Sequence, residues 1–378
     1  MLGEVETRRP TEMNLQIQWE QNPMVVTWEV TRACALDCKY CRMESFPHND
    51  PMELGVLEAK RFIDQVARAK PQMLILTGGD LMYRRDLVQI IEYASSQDLS
   101  VMLSPSVTPR FLKAGMEIFR DAGLKTISLS LDGACQATHD GFRGVRGMWD
   151  WAFQAIDAAK KAGVSVQINT LITRHNIDEF DAFVELLNKV GPAVWRLFVV
   201  VPASLTITEV MPTGGQLEEL FNRLVDLAPL VPYEITTMEG QHYRRVALQR
   251  WHEHGGRESR IDSINDGKGS VFVSHVGDIH PGEFLPLSAG NVRTDELLDV
   301  YRQGALFREL RNSDLLKGKC GRCEFRNRCG GSRARAYAVT GDYLAEEPFC
   351  DYQPDCPAEK IEPAPRLSHR IWRMHLDD

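Results

Sequence analysis

The chain has 378 residues, 43% of them hydrophobic, and a formal net charge of −8. That length carries one large domain with a smaller one beside it, and the acidic balance gives no electrostatic reason to expect nucleic acid or a membrane surface as partner. No apolar run reaches transmembrane length, residues 1–22 lack the apolar core of a signal peptide, and nine cysteines without an export signal point to metal binding in a reducing, oxygen-poor cytoplasm rather than to disulfides. In chain order, the apolar run 24–30 reads as a buried strand, followed directly by Cys34, Cys38 and Cys41. Val56, Ala59, Phe62, Ile63 and Val66 recur at helical spacing. A strand over 73–77 ends in Gly78-Gly79-Asp80. Next come a helix over 86–97, a strand over 100–103, a helix over 110–122 and a strand over 126–131. Trp149, Ala152, Phe153 and Ile156 mark another helix, 165–171 a strand, Ile177 to Leu187 a helix, and 193–201 a sixth strand stopped by Pro202.

This alternation is the pattern of a parallel sheet with helices outside it. Six units fall short of the eight that close a barrel, so the expected fold is α/β, a partial (β/α)6 TIM-like barrel that binds ligands at the carboxyl ends of its strands. Beyond residue 201 the rhythm changes. Residues 216–230 look helical, 233–237 add a strand, and 242–256 are rich in Arg and His without an apolar stripe. Residues 271–274 and 278–284 form a hairpin across Val276-Gly277. Five further cysteines crowd the last part of the chain, at 320, 323, 329, 350 and 356, and Cys135 stands apart.

Cys34, Cys38 and Cys41 lie at spacings of four and three in a loop that leaves the first strand. Such a loop wraps three thiolates round one centre. Three thiolates on a four-iron cluster leave one iron open, and an open position is the mark of a catalytic rather than a structural site. A zinc site completed by a distant His or Cys is the alternative that spacing alone leaves standing.

With these residues in view, the chain resembles the radical S-adenosylmethionine (radical SAM) enzymes, whose hallmark is a Cys-x3-Cys-x2-Cys loop after the first strand. The resemblance implies that Tyr40, before the third cysteine, touches the adenine, and that Gly78-Gly79-Asp80 stands for the family's Gly-Gly-Glu stretch, which contacts the methionyl amine. Glycine there lets the backbone approach a ligand closely. Ser130, in Ser128-Leu129-Ser130-Leu131-Asp132-Gly133, is placed to bind the ribose. Arg143 and Asn169 are candidates for the methionine carboxylate or ribose. The family's chemistry is reductive cleavage of S-adenosylmethionine to a 5′-deoxyadenosyl radical that takes hydrogen from the substrate, fed by an electron donor such as ferredoxin or flavodoxin.

Cys320-x2-Cys323-x5-Cys329 followed by Cys350 resembles the C-terminal SPASM (twitch-like) domain of the same superfamily, which carries auxiliary clusters. The position four after Cys329 is Arg333, and 274–287 holds no cysteine, so one auxiliary [4Fe-4S] cluster is expected, not two. Cys356 is an alternative fourth ligand, zinc an alternative metal, and Cys135 reads as a packed thiol. The organisation implied is an extension over 1–22, a barrel over 23–236, a linking or substrate-contacting segment over 237–270, an auxiliary domain over 271–356 and a tail over 357–378.

Phe284-Leu285-Pro286-Leu287, Gly290-Asn291-Val292-Arg293 and Gly330-Gly331-Ser332-Arg333 resemble the haem-pathway branch, which decarboxylates or trims porphyrin propionates. Two cysteines of the haem b enzyme are replaced here, by Pro281-Gly282-Glu283 and at Ser332 or Arg333. A tetrapyrrole substrate wants forked Arg donors for its carboxylates. His242, Tyr243, Arg244 and Arg245 are the substrate contacts expected, with Arg333 and Arg335 behind them. The competing reading is a peptide maturase that crosslinks a ribosomal precursor. A small-molecule dehydrogenase and a non-enzymatic electron-transfer or zinc protein rank below it.

Overall fold

A computed structural model describes residues 19–38, 41, 46–202, 208–254 and 264–354, with 251–254 described as backbone only. Tyr40 and Cys356 lie outside these residues. Ten strands form one sheet: β1 Val25–Thr31, β2 Met73–Gly78, β3 Val101–Leu103, β4 Thr126–Ser130, β5 Ser165–Ile172, β6 Val194–Val199, β7 Glu234–Met238, β8 Ser270–Val273, β9 Asp278–His280 and β10 Gly290–Asn291. Their order is β10-β9-β8-β1-β2-β3-β4-β5-β6-β7. All pairings from β8 through β1 to β7 are parallel, and β9 and β10 add antiparallel at one edge.

The six expected strands are present as the run β1 to β6, in the open, TIM-like arrangement. β7 lengthens the run at one edge. At the other, the first strand of the expected hairpin pairs in parallel with β1, Val25 opposite Ser270 and Trp28 opposite Val273. The C-terminal region thus begins as part of the barrel sheet. The expected helix over 110–122 is two helices, Pro109–Ala114 and Met116–Asp121, because Gly115 between them sits at φ 82°.

The core fills the space between the sheet and the outer helices. Alternate strand residues supply it: Val26, Trp28 and Val30 of β1 and Leu74 and Leu76 of β2 are fully buried. Trp28 meets Phe62 edge to face at 5.3 Å, and Trp195 of β6 packs against Phe180 and Phe183 of the outer layer. Each such side chain contributes about 1.5–3 kcal/mol by burial. The opposite face of the strands looks into the barrel, and their carboxyl ends open onto the site.

Candidate active site and auxiliary centre

The cysteine loop leaves β1 under tight local control. Glu29, fully buried, is held by His275 Nδ1 at 2.9 Å and by Arg32 Nε at 3.0 Å. Thr31 Oγ1 donates to Glu53 at 2.5 Å and accepts from the Ala33 amide at 3.0 Å. The Cys34 amide donates to Phe46 O, and the Asp80 amide to Ala33 O, both at 2.8 Å. The last bond ties the cysteine loop to the loop after β2. That joint explains both glycines. A Cβ on Gly78 would meet Thr31 O at 2.3 Å, and one on Gly79 would meet Ala33 O at the same distance. The small residues admit the neighbouring cysteine loop, a packing requirement that precedes any contact with a ligand.

One cleft at the strand ends, enclosing about 1560 Å³ with its open mouth included, is lined by Cys34, Cys38, Cys41, Gly78, Gly79, Ser130, Arg143 and Asn169. Ser130 and Asn169 face each other across the β4–β5 pairing. Burial pushes the Cys34 thiol up. It also pushes Cys38 up, against the pull of the Arg143 guanidinium. Thiols held in this way ionise readily only when a metal takes them.

Asp80 is placed differently from the expectation. Its carboxylate accepts from the Met82 amide at 3.0 Å and from Thr108 Oγ1 at 3.1 Å. It is not among the residues lining the cleft, and burial raises it above the usual carboxylate range. Its side chain caps the short turn Leu81–Tyr83 that follows the two glycines. Arg143 is drawn to Asp132, Nη2 to Oδ2 at 2.5 Å.

Asp132 and His139 line the cleft and were not singled out from sequence. Asp132 Oδ1 accepts from the Leu171 amide at 2.8 Å, and its own amide donates to His139 Nδ1 at 3.0 Å. Burial lowers His139 below the ordinary histidine value, and with Nδ1 accepting from the Asp132 amide the ring N–H lies at Nε2. The available signal was an Asp directly after a strand end, followed by a His on the next helix.

A second cavity, about 400 Å³ with its open part included, is ringed by Cys320, Cys323, Cys329 and Cys350. Among the described residues no three His, Cys, Asp or Glu side chains gather closely enough to hold a single ion. Burial pushes Cys323 up to about 11 and Cys329 up to about 12. Cys320 Sγ accepts from the Glu347 amide at 3.3 Å and is approached by Arg333 Nη2 at 3.9 Å.

A sequence profile described as the radical SAM superfamily matches residues 28–187. The chain is 36% identical over 340 residues to the AdoMet-dependent heme synthase of Oleidesulfovibrio alaskensis, covering 87% of each. The chain belongs to the radical SAM superfamily, in its haem-pathway branch. It is also 28% identical over 366 residues to a mycofactocin maturase of Mycobacterium tuberculosis, covering 93% of this chain and 89% of that one. Among solved structures, SuiB of Streptococcus suis bound to S-adenosylmethionine superposes with a TM-score of 0.66 at 15% identity, covering 88% of this chain and 78% of that one. This last likeness is one of fold.

The radical SAM fold places the other expected residues away from the cleft. His242, Tyr243, Arg244 and Arg245, the substrate contacts expected, do not line it. They open the helix His242–His254, which packs on the helix Gly214–Leu227. Arg244 donates to Ile264 O, Arg245 pairs with Glu218, and Tyr243 packs near Phe221. His242 and Arg245 line the auxiliary cavity instead. The start of this helix, though it has no apolar stripe, is buried, with His242 and Arg245 at the second cavity.

Arg333 and Arg335 are likewise internal. Arg333 donates to Tyr343 O at 2.9 Å and Ala345 O at 2.7 Å. Arg335, fully buried, donates to Val200 O at 3.2 Å and Glu239 O at 2.8 Å, and pairs with Glu347 at 3.4 Å. It joins the auxiliary region to the cleft wall, since Val200 lines the cleft. Cys135 is exposed rather than packed, and its hydrogen bonds with Thr138 pull the thiol down. It sits at the start of the helix Gln136–Arg143.

Proposed function

We propose that this radical SAM enzyme acts on the propionate side chain of a tetrapyrrole, removing its carboxyl group or trimming the chain. Cys34, Cys38 and Cys41 would hold a [4Fe-4S] cluster, with Gly78, Gly79, Ser130, Asn169 and the Arg143–Asp132 pair around S-adenosylmethionine. When bound, these groups supply a radical that takes a hydrogen atom from the substrate. The observation that carries the reading is one cleft lined by all three thiols together with the glycine pair, Ser130 and Asn169.

The residues of the chain orient and exclude water. The backbone of 78–79 presents an edge fixed by the cysteine loop. Ser106 Oγ holds Gly79 O at 2.9 Å. Phe198, Val200, Val201 and Phe284 give an apolar wall suited to a flat ring. Support for a tetrapyrrole comes from that wall and from the 36% identity to a relative named as a heme synthase. Cys320, Cys323, Cys329 and Cys350 would hold one auxiliary [4Fe-4S] cluster with no open iron, suited to electron transfer from a donor such as ferredoxin or flavodoxin.

The test is anaerobic incubation with S-adenosylmethionine, reductant and iron-coproporphyrin, followed by mass spectrometry. The expected result is 5′-deoxyadenosine together with a porphyrin that has lost carboxyl groups. Deoxyadenosine with an unchanged porphyrin overturns the substrate. Peptide maturation is the second reading, favoured by the 28% identity to a mycofactocin maturase over almost the whole chain. It predicts that a precursor peptide, and not the porphyrin, changes mass.

A further inference from the structure

His242 is 1% exposed, and neither ring nitrogen has a hydrogen-bond partner among the described residues. Leaving a buried polar group unbonded costs about 1–3 kcal/mol, so an orphaned ring at the wall of a cavity asks for a ligand in that cavity. The ring is not loose. It packs against Phe221 with centroids 5.2 Å apart, and it lines the cavity that the four auxiliary thiols surround.

Arg245 lies three positions on, on the same helix face, and lines the same cavity. Its Nη1 and Nη2 are taken by Glu218, with Gln249 at 2.5 Å from Nη1. Its Nε has no partner, and the Tyr352 ring stacks over the guanidinium at 4.6 Å. Glu347, the carboxylate in the cavity wall, is spoken for: the Ser332 amide donates to it at 2.8 Å and the Phe349 amide at 3.2 Å. One helix face thus brings two residues with unpartnered ring and guanidinium nitrogens to the cavity that the four thiols ring.

We infer that His242 and Arg245 are positioning residues of the auxiliary centre, donating hydrogen bonds to the sulfurs of its cluster. This rests on the auxiliary-cluster reading given above. Four cysteines already satisfy four irons, so the ring serves as a donor and not as a ligand. Donors to cluster sulfur stabilise the more negative, reduced state and hold the reduction potential up.

The experiment uses the full chain carrying Cys34→Ala, Cys38→Ala and Cys41→Ala, reconstituted without oxygen. About four irons per chain establish the auxiliary cluster; no iron overturns the cluster reading before His242 is tested. In that background, His242→Phe lowers the midpoint potential in an EPR-monitored redox titration. It also removes a weak nitrogen coupling seen by pulsed EPR. His242→Gln, which keeps an N–H, recovers part of the potential. An unchanged potential with unchanged nitrogen coupling overturns the proposal, as does a strong coupling typical of a directly bonded nitrogen. Should His242→Phe fail to fold, the unsubstituted ring decides, because absence of the weak coupling there also overturns it.

Discussion

The two cysteine sites differ in how much protein surrounds them. At the first, three thiols line a wide cleft, two of them half-buried and Cys41 exposed. At the second, four half-buried thiols ring a narrow cavity whose wall carries Arg245, Lys319 and Arg326. The contrast follows from anchoring. The first loop is fastened at its roots through Glu29, Thr31 and the glycine pair. The second is fastened throughout, by Glu347, Arg333 and Arg335.

The sharpest way to break this contrast is Cys38→Ala. It should reduce 5′-deoxyadenosine formation to background and lower iron from about eight to about four per chain, whereas Cys329→Ala should leave cofactor cleavage measurable. Next in size is Arg335→Met. Removing one partner of a buried ion pair leaves Glu347 uncompensated, and a loss of about 3–5 kcal/mol in chemical denaturation is expected. Gly79→Ala should cost about 1–3 kcal/mol through overpacking against Ala33, with iron lost from the first site and retained at the second. The smallest effect is one of pH. His139 is held below the ordinary histidine value by burial, so the unfolded chain takes up the proton first. Stability should therefore be full above about pH 6.5 and fall as the pH drops below it. His139→Asn should flatten that slope in urea titrations run at several pH values.

Much of the barrel was legible because its signals are local. Apolar runs between turn residues marked β1 to β6 to within a residue or two, and the cysteine spacings marked the thiols that line the two cavities. What was not legible depends on partners far along the chain. Nothing in residues 270–273 reveals that they pair beside β1. Nothing in His242-Tyr243-Arg244-Arg245 reveals that its basic side chains turn inward, since a helix without an apolar stripe looks solvated whether its polar face meets water or a buried cavity. Asp80 shows a third limit. Its place in the motif was visible, but Thr108 and the Met82 amide, which claim its oxygens, come together only in the fold. Gly115 is the reverse case: the signal was present in the sequence, and a positive φ broke a helix that periodicity alone would have continued.

The pairing of β1 with β8 also constrains the order of assembly. During synthesis β1 emerges early, and Ser270, which lies opposite Val25, appears only after the whole helical wall has been made. Until then one flank of the first strand offers bare amides and carbonyls beside the cysteine loop, a template for mispairing with another chain. Iron delivered before that flank is covered would enter a half-built site, so cells that overproduce this protein faster than they shield the growing chain should recover it in inclusion bodies rather than as metal-loaded enzyme.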